Sequence, residues 1–202
     1  MSTRIAAVLL AAGMSSRFAG GKLLMPLRGK ALVRHAADAA LASRASPLIA
    51  VTGHDAAKVS SALASPDIQI VENTGYATGL SSSLKCGLAA VPAGCDGTLI
   101  LLGDMPYVST ALIDALVDAF GPGRELIVPV RHGRCGNPVL WGRRFFPQLL
   151  ALTGDKGGKH LMALHENALY QLEAPDDGCL IDIDRMEDLQ NGSAPHPSTG
   201  SG

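Results

Sequence analysis

Short apolar runs separated by segments of helical periodicity constrain the fold of this chain most strongly. Residues 5–10, 48–52 and 98–102 are almost entirely apolar, as expected for strands that are buried on both faces. Between the first two runs, apolar residues recur at helical spacing over residues 31–43. Because strands that alternate with helices assemble through right-handed crossovers, the sequence predicts an α/β protein with a mainly parallel sheet.

Length and composition predict one soluble domain. A chain of 202 residues can bury a single ample core, and we expect one domain over residues 1–191. The Gly-, Ser- and Pro-rich residues 192–202 predict a disordered tail. A net charge of −1 gives no electrostatic reason to bind nucleic acid or an anionic membrane. No apolar run approaches the roughly 18 residues of a membrane span.

The cysteines and the N-terminus predict a cytoplasmic protein. The four cysteines are scattered, with no C-x-x-C pair, which is typical of reduced thiols in a cytoplasmic protein. The first apolar run leads straight into a loop that carries candidate functional residues, so cleavage as a signal peptide would remove them.

That loop, residues 11–22, consists mostly of small residues and carries Arg17 and Lys22. Small side chains let a ligand approach the backbone, whose N–H groups can line an anion site. The Arg17 guanidinium can bind a phosphate through two hydrogen bonds, and Lys22 can supply a point charge. The spacing matches neither G-x-G-x-x-G nor G-x-x-x-x-G-K-[ST]. The residues alone therefore leave phosphate binding and a purely structural loop both open.

The string from Leu9 to Lys22 resembles the L-A-A-G-x-S-x-R-x-G-x-x-K signature of the MobA-like nucleotidyltransferases, with the second Ala typical of cytidylyltransferases. It departs from that signature at residues 18–21, which read Phe-Ala-Gly-Gly. Further resemblances follow in order along the chain up to Leu189. They imply a three-layer, mainly parallel, nucleotide-diphospho-sugar transferase-like (Rossmann-like) fold.

The resemblance also implies a nucleotide site. Its residues would be Leu10, Ala11, Ala12, Gly13, Ser15, Arg17, Lys22, Ser82, Ser83 and Asp104. Residues 73–87 resemble the family segment N-x-x-x-x-x-G-[ML]-S-S-S-L-x-x-G, which closes over the nucleobase. Related cytidylyltransferases place a serine against the cytosine ring at the position of Ser83. From the residues alone, N-capping of a helix by Ser81 or Ser82 is the simpler interpretation.

Asp104 follows the apolar run 98–102 and is a candidate metal ligand. A carboxylate at the carboxyl end of a central strand lies where open α/β sheets bind ligands. Ser109 and Thr110 are better placed to cap the next helix. The string Gly103-Asp104-Met105-Pro106 resembles the family element whose Asp holds Mg²⁺ against a triphosphate. We expect Asp104 to face the cleft and to be unpaired without metal.

Three later segments complete the resemblance. The loop 131–138 carries Asn137 where the family usually has His, so this position cannot titrate near neutral pH. Residues 152–159 resemble L-x-G-D-x-G-[AG]-[RK], although alone they read as a turn and a helix cap. The resemblance implies an acceptor site at Asn137, Gly154, Asp155 and Lys159. Residues 182–189 resemble D-[IV]-D-T-P-E-D-L.

That last segment makes Asp184 a candidate second metal ligand. A helix N-cap with Glu187 as its partner is an alternative that remains open. The pattern also predicts two late strands, at residues 169–172 and 179–183, within a smaller excursion that covers the acceptor.

The resemblance implies a Mg²⁺-dependent enzyme that transfers a nucleoside monophosphate, CMP from CTP in the nearest type, to the phosphate of molybdopterin cofactor and releases pyrophosphate. Arg17, Lys22 and Asp104 would be its catalytic residues, and a molybdoenzyme or its maturation factor could be a partner. The acceptor phosphate is itself the nucleophile, so no general base is required. Alternatives are GTP as the donor, a sugar or alcohol phosphate as the acceptor, and a non-catalytic molybdenum cofactor carrier. A carrier would not need the triphosphate-binding residues.

Overall fold

The computed structural model describes residues 3–14, 21–155 and 157–184. Its strands are β1 (Ile5–Ala11), β2 (Pro26–Leu27), β3 (Lys30–Ala31), β4 (Leu48–Thr52), β5 (Ile68–Glu72), β6 (Gly97–Leu102), β7 (Leu126–Arg131), β8 (Arg134–Cys135), β9 (Val139–Gly142) and β10 (Leu169–Glu173). Its α-helices are α1 (Leu32–Leu41), α2 (Ala56–Ala62), α3 (Leu80–Ala90), α4 (Thr110–Ala119), α5 (Phe146–Ala151) and α6 (Gly158–Leu164). Of these helices, none is long and apolar enough to span a bilayer.

The main sheet is mostly parallel, as predicted. Its strand order is β10-β7-β9-β6-β1-β4-β5, with β8 paired to β7. Strands β6, β1, β4 and β5 run parallel to one another, and β10 runs parallel to β7. Strand β9 is antiparallel to both of its neighbours, β6 and β7. The sequence pattern does not reveal this reversal, because a buried strand is apolar whichever way it runs.

Helices cover both faces of the sheet, which confirms the three-layer fold. Along β1, Ile5 and Leu9 lie in a core with α1, α2 and α4. The alternate residues Val8 and Leu10 lie in a second core with α3, α5 and α6. Because successive side chains of a strand point to opposite faces, a strand buried on both sides is apolar at every position. Strand β1 is therefore the centre of the fold.

Most element predictions are confirmed, but the strand predicted at residues 179–183 is wrong. The chain there forms a 3₁₀ turn over Asp177–Leu180 and then an extended segment that pairs with no strand. The side chain of Asp176 accepts a hydrogen bond from the Gly178 N–H at 2.9 Å, which closes the turn. Strand β10 lies at the edge of the main sheet rather than in a separate excursion.

Candidate active site

The carboxyl ends of β1 and β6 meet where the chain switches direction across the sheet. From β1 the chain adds β4 and β5 on one side, and then returns to place β6 on the other. The Gly103 N–H donates to the Leu10 carbonyl at 3.0 Å and holds the two strand ends together. Open α/β sheets bind ligands in the crevice at such a switch point.

A cavity of about 510 Å³ opens at this point, and we call it the donor cavity. Residues that line it include Leu10, Ala12, Gly13, Lys22, Tyr76, Gly79, Leu80, Ser83, Asp104 and Asp155. Most of the predicted nucleotide residues are therefore brought together. The side chain of Ala11 instead lies in the core on the opposite face of β1, because side chains alternate along a strand. Ser15 and Arg17 lie outside the described residues.

Lys22 lies between two carboxylates at the wall of the donor cavity. Its Nζ donates to Asp104 Oδ2 at 2.8 Å and to Asp184 Oδ1 at 3.1 Å. The Lys22 side chain is only 11% exposed. Burial alone would lower the pKa of Lys22, but hydrogen bonds and charge from Asp104 and then Asp184 raise it above the ordinary value. Lys22 therefore stays cationic at neutral pH, and the expectation that Asp104 is unpaired is wrong.

The segment 181–184 brings Asp184 to this site from a distant part of the chain. The Ile183 N–H donates to the Asp104 carbonyl at 3.0 Å, and the buried Ile183 side chain packs with Leu27 and Leu32. Burial, followed by the charges of Asp184 and Asp104, raises the pKa of Asp182. The alternative role of Asp184 as a partner of Glu187 in a helix cap involves a residue outside the described ranges.

Asp104 and Asp184 fit the requirements of a divalent cation that also binds a phosphate. Both carboxylates lie within 3.1 Å of one ammonium nitrogen, so they already converge on a single cationic centre. Carboxylate oxygens are the ligands that Mg²⁺ prefers, and Mg²⁺ commonly combines one or two of them with phosphate oxygens. Within the described residues, no group of three or more His, Cys, Asp or Glu could hold a metal. A cation here would therefore need further oxygens from a phosphate or water.

The segment after β5 is ordered by Asn73, which the sequence analysis did not single out. Asn73 Nδ2 donates to Ser82 Oγ at 2.8 Å and to Ser83 Oγ at 3.0 Å. Gly79 occupies the N-cap position of helix α3, and no side chain caps the helix, so the interpretation of Ser81 or Ser82 as an N-cap is wrong. The Ser82 hydroxyl instead donates to the Gly79 carbonyl at 2.8 Å. Ser83 is 5% exposed and lines the donor cavity, whereas Ser82 holds the loop. Two signals for Asn73 were available: it directly follows a strand, and it is the first residue of the family segment that residues 73–87 resemble.

The first N–H groups of α3 are bonded to protein atoms. The Leu80 N–H donates to Asp155 Oδ1 at 3.4 Å, and the Ser81 N–H donates to the Gly154 carbonyl at 3.0 Å. The Ser82 N–H donates to the Gly79 carbonyl at 3.1 Å. A helix N-terminus attracts anions through such groups when they are open. This end of α3 is instead occupied, and the carboxylate of Asp155 is close to it.

A larger cavity of about 880 Å³ adjoins the first, and we call it the acceptor cavity. Leu10, Leu80, Leu102 and Asp155 line both. Apolar and sulfur-bearing side chains form much of its wall, with cationic and amide groups beside them. These residues include Met105, Arg134, Cys135, Asn137, Trp141, Lys159, Met162, Cys179 and Asp182.

The predicted acceptor residues meet in this cavity with one exception. Asn137, Asp155 and Lys159 line it, whereas Gly154 packs against the backbone of Gly79. Asp182 and Trp141 were missed by the sequence analysis. The available signal for Asp182 was its alternation with Asp184 around the apolar Ile183.

The four cysteines are free thiols, as expected. Burial, followed by the charge of Asp176, raises the pKa of Cys179 to about 11. Its thiol is therefore protonated at neutral pH.

The chain is similar to known proteins in both sequence and fold. The model of the MobA-like NTP transferase domain matches residues 7–169. The bifunctional protein GlmU of Burkholderia orbicola is 36% identical over 141 residues, which cover 67% of this chain and 29% of that protein. This chain therefore spans less than a third of the length of such curated relatives.

Solved structures match over nearly the full chain. Rv0371c from Mycobacterium tuberculosis H37Rv has a TM-score of 0.84 at 30% identity, covering 95% of this chain and 98% of that one. The same protein in complex with manganese has a TM-score of 0.77 at 29% identity, covering 94% and 97% of the two chains. A nucleotidyl transferase from Methanothermobacter thermautotroptrophicus has a TM-score of 0.81 at 30% identity, covering 93% and 95%. On the match of residues 7–169, the chain belongs to the MobA-like NTP transferase domain family.

Proposed function

We propose that the protein is a nucleotidyltransferase that moves CMP from CTP to the phosphate of molybdopterin cofactor, with release of pyrophosphate. The observation that carries this proposal is the pair of adjoining cavities at the switch point, one of which holds Lys22 between Asp104 and Asp184. A group transfer needs two substrates side by side with positive charge at the reacting phosphate. A cofactor carrier would need only one of these cavities.

The charges favour one orientation of the triphosphate. The first N–H groups of α3 are occupied, and the carboxylate of Asp155 would repel phosphates there. Lys22 offers a cation at the other side of the donor cavity. We therefore place the base beside Ser83 and the phosphates beside Lys22 and the loop after β1, to which Gly13, Ser15 and Arg17 belong.

The chemistry in this arrangement is positioning and charge neutralisation. The acceptor phosphate is anionic at neutral pH and attacks the α-phosphorus in line, so no side chain has to remove a proton. Asn137 in the acceptor cavity cannot titrate, which agrees with this requirement. Asp104 and Asp184 would hold Mg²⁺, which neutralises charge on the triphosphate when bound. The manganese complex of Rv0371c supports a divalent cation in this family.

The donor cavity favours a small base. Ala12 is packed so closely that a methyl group added at Gly53 would lie 2.8 Å from the Ala12 Cβ and 2.7 Å from the Tyr76 Cβ. Guanylyl-transferring relatives resemble this chain but have Gly where Ala12 stands. Ala12 lines the donor cavity, so we expect a glycine at this position to leave more room for a base, which supports cytosine over guanine.

The acceptor cavity favours a flat, partly apolar phosphate ester over a sugar phosphate. Leu80 and Met162, which are at least partly exposed, offer apolar and polarisable surface, and the nearly buried Trp141 and Met105 lie behind them in the wall. Arg134 and Lys159 offer positive charge for a phosphate. A reduced pterin that carries a phosphate matches both features, whereas a sugar would leave much of the apolar wall without a partner.

Pyrophosphate release tests this proposal. Each of CTP, GTP, ATP and UTP is incubated with Mg²⁺ and the protein, either alone, with molybdopterin cofactor or with a sugar phosphate. We expect release only with CTP and the cofactor together. The matched control is Asp67→Asn, which changes an exposed aspartate outside both cavities and should behave as wild type. Release with GTP or with a sugar phosphate identifies the other enzymes, and cofactor binding without release with any nucleotide identifies a carrier.

A further inference from the structure

The turn at Gly154 and Asp155 contacts the donor side of the cleft, although its sequence motif suggests an acceptor role only. Asp155 lines both cavities. Its Oδ1 accepts the Leu80 N–H at 3.4 Å, and the Gly154 carbonyl accepts the Ser81 N–H at 3.0 Å. Two residues of the acceptor-side turn therefore satisfy two N–H groups of the helix that carries Ser83.

The contact between this turn and α3 leaves no space for a side chain. Gly79 has a φ of 110°, which favours glycine. A Cβ at Gly79 would lie 2.5 Å from the carbonyl carbon of Gly154 and 2.8 Å from Asp155 Oδ1. The two backbones therefore pack directly against each other, and a shift of one requires a shift of the other.

The same turn leads into the wall of the acceptor cavity. Helix α6 begins at Gly158 and carries Lys159. A Cβ at Gly158 would lie 2.6 Å from Trp141 Cζ2, so the start of the helix packs on the indole ring. Movement of the turn therefore reaches the surface that faces the acceptor.

We propose that Asp155 is a positioning residue of the donor cavity, and that the turn at Gly154 and Asp155 couples donor binding to the acceptor cavity. This inference rests on the proposed function, because it requires a nucleotide in the donor cavity. A base that contacts Ser83 fixes the first turn of α3, which in turn fixes Asp155 and the start of α6. By thermodynamic linkage, an acceptor that fixes the start of α6 strengthens donor binding by the same factor.

Calorimetry with CTP and Mg²⁺ tests the first part, with no acceptor needed. Asp155→Ala removes both the hydrogen-bond acceptor and the negative charge near the N-terminus of α3. We expect about five-fold weaker CTP binding, with a melting temperature close to that of wild type. Asp155→Asn keeps an acceptor oxygen and should restore binding to within about two-fold of wild type. Asp67→Asn is the matched control and should bind CTP as wild type does.

Hydrogen exchange tests the coupling itself. CTP with Mg²⁺ should slow amide exchange over residues 158–164 in wild type and should have no such effect in Asp155→Ala, measured with each protein saturated. Wild-type affinity in Asp155→Ala, or equal protection of α6 in both proteins, would overturn the inference and leave the proposed function intact. If wild type binds none of the four nucleoside triphosphates, both the proposed function and this inference are wrong.

Discussion

Replacing Asp104 by Asn should lower both stability and turnover, and the structure gives the size of the first effect. The Asp104 carboxylate lies 2.8 Å from Lys22 Nζ, and the two side chains are 27% and 11% exposed. Exposed ion pairs contribute about 0–1 kcal/mol, whereas breaking a buried pair costs about 3–5 kcal/mol. Asp104→Asn retains an oxygen that can accept from Lys22, and Asp184 still partners Lys22. We therefore expect a loss of about 1–2 kcal/mol.

Asp184→Asn is the matched comparison for this substitution. Asp184 is 57% exposed and lies 3.1 Å from Lys22 Nζ, so its loss should cost less than about 1 kcal/mol. For a chain of this size, these values correspond to a fall in Tm of about 2–8 °C for Asp104→Asn and less than about 4 °C for Asp184→Asn. Both variants should lose Mg²⁺-dependent turnover.

Thermal melts of the apo-protein and pyrophosphate assays on the same preparations separate the two effects. An unchanged Tm in Asp104→Asn would refute the ion-pair reasoning. So would a larger fall in Tm for Asp184→Asn than for Asp104→Asn. Normal turnover in a folded Asp104→Asn variant would remove Asp104 from the proposed mechanism.

Three further predictions concern Lys22 and Ser83. Lys22→Ala should reduce kcat/KM by about 10²–10³ by removing charge stabilisation at the triphosphate, and near-normal turnover would exclude that role. The pKa of Lys22 in the folded state lies above its ordinary value of 10.5. Its ion pairs therefore stabilise the protein fully below pH 10.5, and this stabilisation is lost as the pH rises through the folded-state pKa. Urea melts between pH 8 and about 11.5 measure the difference in stability between wild type and Lys22→Met. This difference should shrink only above about pH 10.5, and a difference already lost at pH 8 would contradict the prediction. Wild type should have a higher kcat/KM for CTP than for GTP, and Ser83→Ala should narrow this ratio; equal ratios in both proteins would show that Ser83 does not read the base.

The elements predicted best from sequence are the strands that are buried on both faces of the sheet. The runs in β1, β4 and β6 are almost entirely apolar, and this pattern has few structural alternatives. The same reasoning failed at residues 179–183. Ile181 and Ile183 are buried there outside the main sheet, with Ile183 packed against Leu27 and Leu32. Apolar content alone does not distinguish a buried strand from a buried segment of this kind.

The site was predicted as a set of residues but not as a set of contacts. Lys22 and Asp104 are 82 positions apart, and Lys22 and Asp184 are 162 positions apart. No local pattern reports an ion pair between such distant residues, because the pairing depends on which strand ends the sheet places together. The prediction for Asp155 was incomplete for the same reason. Its motif indicates a turn, but it does not indicate which helix the turn contacts.

The central claim is tested most directly by following the α-phosphorus of the donor. CTP labelled at that atom is incubated with Mg²⁺, molybdopterin cofactor and the protein, and the products are separated. We predict that the label appears in the cofactor as a cytidine dinucleotide and that the released pyrophosphate is unlabelled. Label that stays in CTP while the bound cofactor is unchanged would contradict nucleotidyl transfer.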